Sequence, residues 1–464
     1  MEETIRFYYT NDLHSYFDHW SRVATYLKTK RYESKVNNES FWTLDIGDHM
    51  DRLHPITEAT MGKANVELLN NLHYDFATIG NNEGITLSQK SLYHLYDDAN
   101  FELICSNLEC TVTEDPTWLL RSQTIYSQQG VKIGLIGLTA RFNPYYHLLG
   151  WNVESPYETI ERELQQLHDC DIIVLMSHVG IHLDQVIAER YEAIDVIIGS
   201  HTHHLFHEEE TVNQSILTAA GKHCEYVGEV TLVWNHERKK LVEKKAIAEN
   251  ITSLPKDLPT EQRIMELREE AAVILQKKII HTKKPIQSRW YKETELMQRL
   301  TEKVRTWTKA DIGMLNAGLL MEDFPEGDIT YEDVHRVCPH PINVCIVDLQ
   351  GDELLDVVTD AFSKQLIELK LKGFGFRGEV IGRMVFTNLD VQTDLDDNGE
   401  EYVIDVLFEG KAVQSDRTYQ IATADMFTFG RLLPGIANAS VTTLFLPEFI
   451  RELLVQTLIE WRNN

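Results

Sequence analysis

Five short motifs hold most of the residues in this 464-residue chain that could do chemistry together. They read Asn11-Asp12-Leu13-His14, Gly47-Asp48-His49-Met50-Asp51, Gly80-Asn81-Asn82-Glu83, Ser177-His178-Val179-Gly180 and Gly199-Ser200-His201-Thr202-His203-His204. Carboxylate, imidazole and amide oxygen form a donor set suited to divalent Mn, Fe or Zn. Two such ions, held about 3.5–4 Å apart by a shared carboxylate, activate water, align attack and neutralise phosphate oxygens. A lone Asp or His in such a place is usually a cap or a solvated surface group. Five such motifs, most flanked by small residues, point instead to a dimetal site.

Each motif follows a short apolar run, and these runs must place the side chains. Strands are expected over 5–10, 41–46, 75–79, 101–105, 132–138, 171–176 and 193–198. Amphipathic helices lie between them, as over 19–30, where Trp20, Val23, Ala24 and Leu27 share one face, and over 157–168. Alternating strand and helix implies a layered α/β domain. The carboxyl ends of such strands converge, so five of the seven would deliver their Asp, Asn or His side chains to one crevice. The stretch 215–234 reads as a closing hairpin turned at Gly221-Lys222. Pro255 and Pro259 then mark a boundary, and a charged helix is expected over 260–280. The domains are therefore placed at 1–250, a bridge at 251–285, and an α+β domain at 286–464.

Composition limits the partners. With 44 basic against 72 acidic residues the formal net charge is −28. Such a surface repels DNA and RNA, so no nucleic acid polymer is expected as a partner. A phosphate handled here must be attracted locally, by metal ions or a few placed cations. No apolar run is long enough to span a membrane. The six cysteines are scattered without a CxxC pair, and the start Met1-Glu2-Glu3 is not that of a signal peptide. A cytoplasmic protein is expected.

In this order the five motifs resemble the signature of calcineurin-like metallophosphoesterases. The longer context, Thr10-Asn11-Asp12-Leu13-His14-Ser15 with Asn316-Ala317-Gly318 and Gly327-Asp328-Ile329-Thr330, is similar to the branch of 5′-nucleotidases, UDP-sugar hydrolases and 2′,3′-cyclic phosphodiesterases. The resemblance implies an αββα-type sandwich followed by a 5′-nucleotidase-type domain. It implies that Asp12, His14 and His203 hold one metal ion, that Asn81, His178 and His201 hold the other, and that Asp48 bridges both. It also implies hydrolysis of a small phosphorylated metabolite, a nucleotide or something like one, by a metal-bridging hydroxide. Asp51 would orient neighbours rather than ligate, and His49 and His204 are extra histidines beside ligands.

Two departures stand out. Relatives place His where this chain has Asn82, over the phosphate, so Asn82 joins Asp48 as an expected catalytic residue. An amide can donate a hydrogen bond but cannot pass a proton. Glu83 could stand in for the missing imidazole, although its place in the motif suggests a structural role. In the second domain, Phe374, Phe376 and Arg377 fall where relatives stack a base and hold an anion, and Asn316 is a further substrate candidate. The other reading of that loop is a turn whose phenylalanines plug the local core. After Asp425 the Gly- and Asp-rich loop of relatives is replaced by Met426-Phe427-Thr428-Phe429-Gly430. The alternatives are a UDP-sugar hydrolase, a cyclic phosphodiesterase or another small-molecule phosphatase. A non-enzyme alternative is a protein that keeps the metals for nucleotide binding or sensing.

Overall fold

A computed structural model describes residues 1–461 apart from 372, 374, 398 and 431. The chain divides into two compact units, Met1–Ala271 and Ala272–Asn464.

In the first unit two sheets face each other. The seven-stranded sheet runs Lys240–Asn250, Tyr226–Asn235, Glu2–Thr10, Ser40–Asp45, Phe76–Ala77, Glu102–Ile104, Leu119–Leu120. The six-stranded sheet runs Glu210–Val212, Ser215–Thr218, Val196–Gly199, Ile172–His178, Lys132–Thr139, Ser122–Tyr126. Strand alternation decides the layers. Ile5, Phe7 and Tyr9 pack against Ile133, Leu135, Val174 and Ile198 between the sheets. Tyr8, on the opposite face of its strand, bonds Ser34 of helix Trp20–Val36. On the outside of the second sheet, Ile173, Leu175 and Ile197 cluster with Ile160 and Ile187 of helices Pro156–Gln166 and Ile181–Arg190. Helix, sheet, sheet, helix is the layered sandwich that the resemblance implied.

Parallel register aligns the ends that matter. Thr10 pairs with Asp45 and Ala77 also lies beside Asp45, while in the other sheet Ser177 pairs with Gly199. The loops following Glu2–Thr10, Ser40–Asp45 and Phe76–Ala77 thus leave one sheet side by side. Those following Ile172–His178 and Val196–Gly199 leave the other.

Two sequence expectations fail here. The hairpin over 215–234 does not form, because Ser215–Thr218 and Tyr226–Asn235 belong to different sheets. The second of them pairs along almost its whole length with Glu2–Thr10 and with Lys240–Asn250, its true hairpin partner. Val230, Leu232 and Trp234 thereby reach the core between the sheets. The helix expected over 260–280 spans Leu258–Leu275 and stops before strand Lys278–Thr282. β-Branched Ile279 and Ile280 favour the strand, where Ile280 pairs with Ile329.

The second unit is built on a five-stranded sheet ordered Met384–Thr387, Ile312–Asn316, Thr418–Ala424, Asn343–Gln350, Ser440–Phe449. Helices Glu295–Thr308, Gly351–Ala361 and Ile450–Trp461 contribute Leu300, Leu354 and Leu454 to its core. A three-stranded sheet, Leu389–Leu395, Glu401–Phe408 and Lys411–Ala412, completes an α+β unit. Among the described residues no helix is long and apolar enough to cross a membrane.

Candidate metal centre

The loops after the first two strands of the seven-stranded sheet are zipped together by main-chain bonds. Asp12 N–H donates to Gly47 O (3.1 Å), His14 N–H to Asp48 O (2.8 Å) and Ser15 N–H to His49 O (3.1 Å). Asp12, His14, Asp48, His201 and His203 all have φ between 49° and 71°. Non-glycine residues rarely adopt this conformation, and such backbone persists only where its surroundings impose it, typically at functional sites. The third loop is pressed against the second. Any side chain at Gly80 would overlap the Asp48 carboxylate. Buried Glu83 ties the two loops, accepting from Asp48 N (3.0 Å), Gly80 N (2.8 Å) and Met50 N (3.0 Å). That is the structural role its place in the motif suggested, and it leaves Glu83 no reach to a substrate.

Two groups of side chains result. Asp12, His14 and His203 bring one ligand atom each to within 4.8 Å of one another, and Asp48, His178 and His201 do the same. Asp48 stands between the groups, its Oδ2 3.8 Å from His14 Nε2 and its Oδ1 3.4 Å from His178 Nε2. Asp12 is aimed by its neighbours, accepting at Oδ2 from Asn11 Nδ2 (2.8 Å) and Ser200 Oγ (2.6 Å). His178 Nδ1 donates to Ile46 O (2.7 Å), which turns Nε2 toward Asp48. Asp51 holds the turn through its Oδ1 and Leu53 N (2.8 Å). Its other oxygen lies 3.9 Å from His14 Nδ1.

The donor set fits a pair of divalent cations. Buried Asn81 Oδ1 and His178 Nε2 have no hydrogen-bond partner among the described residues. A cation would satisfy the Asn81 oxygen, and also His178 Nε2 once it displaces the proton there. Burial, reinforced by His178, lowers His201 to about 4. Burial, reinforced by His14, lowers His203 to about 3. Both imidazoles are therefore neutral at physiological pH, as ligation requires. Burial raises Asp12. For Asp48 and His178 burial opposes charge on both, but their mutual attraction overrides it, lowering the acid and raising the base.

Asn82 lies against both ligand groups. Its backbone N–H donates to Asp48 Oδ1 (2.8 Å), and its Nδ2 lies 2.9 Å from Asp48 Oδ2 and 3.0 Å from His14 Nδ1. The amide thus joins the two groups. His49 is sealed between Asp45 (3.5 Å) and Glu83 (3.4 Å), and His204 is exposed and bonds Thr202 Oγ1 (3.0 Å). Neither belongs to a ligand group.

Descriptions of known families match both units. Residues 5–205 match the calcineurin-like phosphoesterases and residues 275–431 the 5′-nucleotidase C-terminal domain. The uncharacterized metallophosphoesterase YunD of Bacillus subtilis (strain 168) is 39% identical over 462 residues, covering 99% of this chain and all of that one. The chain belongs to the calcineurin-like metallophosphoesterases. Its architecture is that of the 5′-nucleotidases. The 5′-nucleotidase precursor of Thermus thermophilus superposes with a TM-score of 0.59 at 18% identity, covering 100% of this chain and 97% of the other. The NAD nucleotidase of Haemophilus influenzae superposes with a TM-score of 0.67 at 14% identity, covering 100% and 96%. This metallophosphoesterase is a hydrolase of phosphoesters, and the family uses a dinuclear metal centre.

The expected substrate residues of the second unit fare less well. Phe374 lies outside the described residues. Phe376 is 1% exposed and stacks on His340 with ring centres 5.1 Å apart. It belongs to the core, so the plug reading replaces the stacking one. Asn316 is wholly buried and its Nδ2 donates to Ile381 O (2.8 Å). Half-buried Arg377 donates its backbone N–H to His340 Nδ1 (3.0 Å). The sequence reading also missed Tyr16 and His223, whose stacked rings lie beside His14. A His pressed into what looked like a plain turn gave no signal.

Proposed function

We propose that this metallophosphoesterase hydrolyses nucleotides or nucleotide-like phosphorylated metabolites in the cytoplasm, with two divalent ions drawn from Mn, Fe and Zn. Asp12, His14 and His203 would hold one ion, Asn81, His178 and His201 the other, and Asp48 both. The observation that carries this reading is the pair of three-residue groups with Asp48 standing between them. When bound, such ions supply an activated water and positive charge on the phosphoryl oxygens. The chain's own residues do the rest. Ser200 and Asn11 fix the Asp12 carboxylate, Ile46 O fixes the His178 tautomer, and Glu83 holds the loops against each other. Asn82 keeps His14 and Asp48 in register and supplies no mobile proton. Departing groups that are weak bases, such as aryl oxides and phosphates, therefore suit this site better than nucleoside alkoxides. The match of the second unit to the 5′-nucleotidase C-terminal domain supports a nucleotide-like substrate. Six free cysteines support a reducing compartment.

The test is metal analysis of the purified protein together with a panel of nucleotides, nucleotide sugars, cyclic nucleotides and an aryl phosphate. Two ions per chain and hydrolysis within that panel are expected. A protein that binds fewer than two ions, or that binds two and cleaves nothing, would overturn the reading.

A further inference from the structure

The segment Gly221–Cys224 runs alongside the first ligand group and is bolted to it. Asn11 Nδ2 donates to Gly221 O (2.7 Å), and Asn11 Oδ1 accepts from Ala220 N (3.0 Å). Gly221 N–H donates to His204 O (2.9 Å) and His223 N–H to Asp12 O (2.9 Å). The segment is thus anchored to Asn11 and Asp12 in one loop and to His204, next to His203, in another. Gly221, His223 and Cys224 all have positive φ, at 73°, 60° and 51°. Buried Cys224 pins the far end, Lys222 is exposed and His223 is half-buried.

Their surroundings are specific. The His223 ring lies flat on Tyr16, 4.8 Å between centres at 23°, and meets His14 edge-on at 6.1 Å. Tyr16 is itself 42% exposed. Lys222 is exposed and pairs with no carboxylate among the described residues. An uncommitted cation at the rim of a metal group is a local inversion on a surface of net charge −28. The second group has a different neighbour, Phe142, whose ring is 5.9 Å from His201. A phosphoryl group shared by both ligand groups would have the His223 ring and the Lys222 backbone beside it on the side of Asp12, His14 and His203.

We propose that Lys222 and His223, backed by Tyr16, form a second anion site that receives the non-reacting phosphate of a diphosphate-linked substrate. Lys222 supplies fixed positive charge, and His223 supplies a ring N–H, which a neutral imidazole retains. The inference rests on the proposed function and names its substrate class: phosphoanhydrides, whose departing phosphate needs no protonation from Asn82.

The test uses the full-length, metal-loaded protein and two probes, α,β-methylene-ADP and inorganic phosphate. Calorimetry would give the affinity of each for wild type, Lys222→Met, Lys222→Glu and His223→Asn, with metal content and thermal midpoint measured alongside. Asn tolerates the left-handed backbone at position 223, so that variant removes only the ring. Lys222→Met should weaken α,β-methylene-ADP roughly tenfold or more relative to phosphate, the scale of a hydrogen bond to a charged group. Lys222→Glu should weaken it further, and His223→Asn should weaken it less. Unchanged affinity in both Lys222 variants, or no binding by wild type, overturns the proposal. Equal losses for the two probes overturn it as well and assign Lys222 to the reacting phosphoryl group. Wild type that keeps two ions and binds phosphate while the variants show no selectivity sinks this inference alone. Wild type without two ions sinks the proposed function first.

Discussion

The two loop regions that looked most promising in the sequence were handled in opposite ways by the fold. In the first unit, five loops at strand ends turn their polar side chains toward one another, and main-chain bonds hold them in strained conformations. In the second unit, the Gly-rich loop around 373–378 turns Phe376 inward against His340. Both loops contain glycines beside chemically useful residues. The difference lies in what the neighbouring strands leave unsatisfied. Asp and His at adjacent parallel strand ends have no apolar partner and must find each other, whereas a Phe beside an unfilled core goes into it.

The largest effect that could break this contrast is at Asp48. Asp48→Asn keeps the size and removes the charge facing both His14 and His178. Metal content should fall below two per chain and phosphoester turnover should drop by several orders of magnitude. Two ions retained with near-normal turnover would mean that Asp48 does not join the groups.

Phe376→Ala probes the other region. Removing a buried aromatic ring should cost about 3–5 kcal/mol, seen as a lower unfolding midpoint. The damage should fall equally on a nucleotide and on an aryl phosphate. A selective loss on the nucleotide, with stability intact, would restore Phe376 as a base-stacking residue.

Asn82→Ala removes the amide that ties His14 to Asp48. Partners that orient ligands typically matter by about 10–100-fold in metal affinity, and that range is expected here in competition with a chelator. Unaltered affinity would show that the two groups hold their geometry without the link.

The smallest effect is a pH dependence in the second unit. Burial holds His340 down at about 3, and both ring nitrogens are committed. Nε2–H donates to Leu319 O (2.9 Å) and Nδ1 accepts from Arg377 N (3.0 Å), so an added proton has nowhere to go. The folded value lies below the unfolded one near 6.5. The contribution is therefore fully present above about pH 6.5 and is lost as pH falls toward 3, by up to about 1.4 kcal/mol per unit. Denaturant unfolding between pH 7 and 5 should show this slope in wild type and a shallower one in His340→Gln. Equal slopes would remove His340 as the cause.

Much of the catalytic unit was legible because its signals are local. An apolar run, then a small residue, then Asp, Asn or His is a pattern that needs no knowledge of the partner strand. The order of the motifs, Asp12 through His203, made the family legible in the same way. The hairpin over 215–234 was misread because turn residues at Gly221-Lys222 say where the chain bends, not which sheet each arm joins. The pairing of Tyr226–Asn235 with Glu2–Thr10 spans more than two hundred residues, and no local pattern encodes it. Phe376 could not be assigned either, since stacking residue and core plug share one composition.

By itself, then, the sequence determined the donor types, their order and their attachment to strand ends, because covalent neighbours and strand periodicity dictate these. Only the tertiary structure decided that the ligand groups come from two facing sheets and that Asp48 stands between them. It also decided that the Asn82 amide is spent on His14 and Asp48, and that Tyr16 and His223 border the first group. These are facts about distances between residues far apart in the chain. They arise where packing of the inter-sheet core fixes how the strand ends meet.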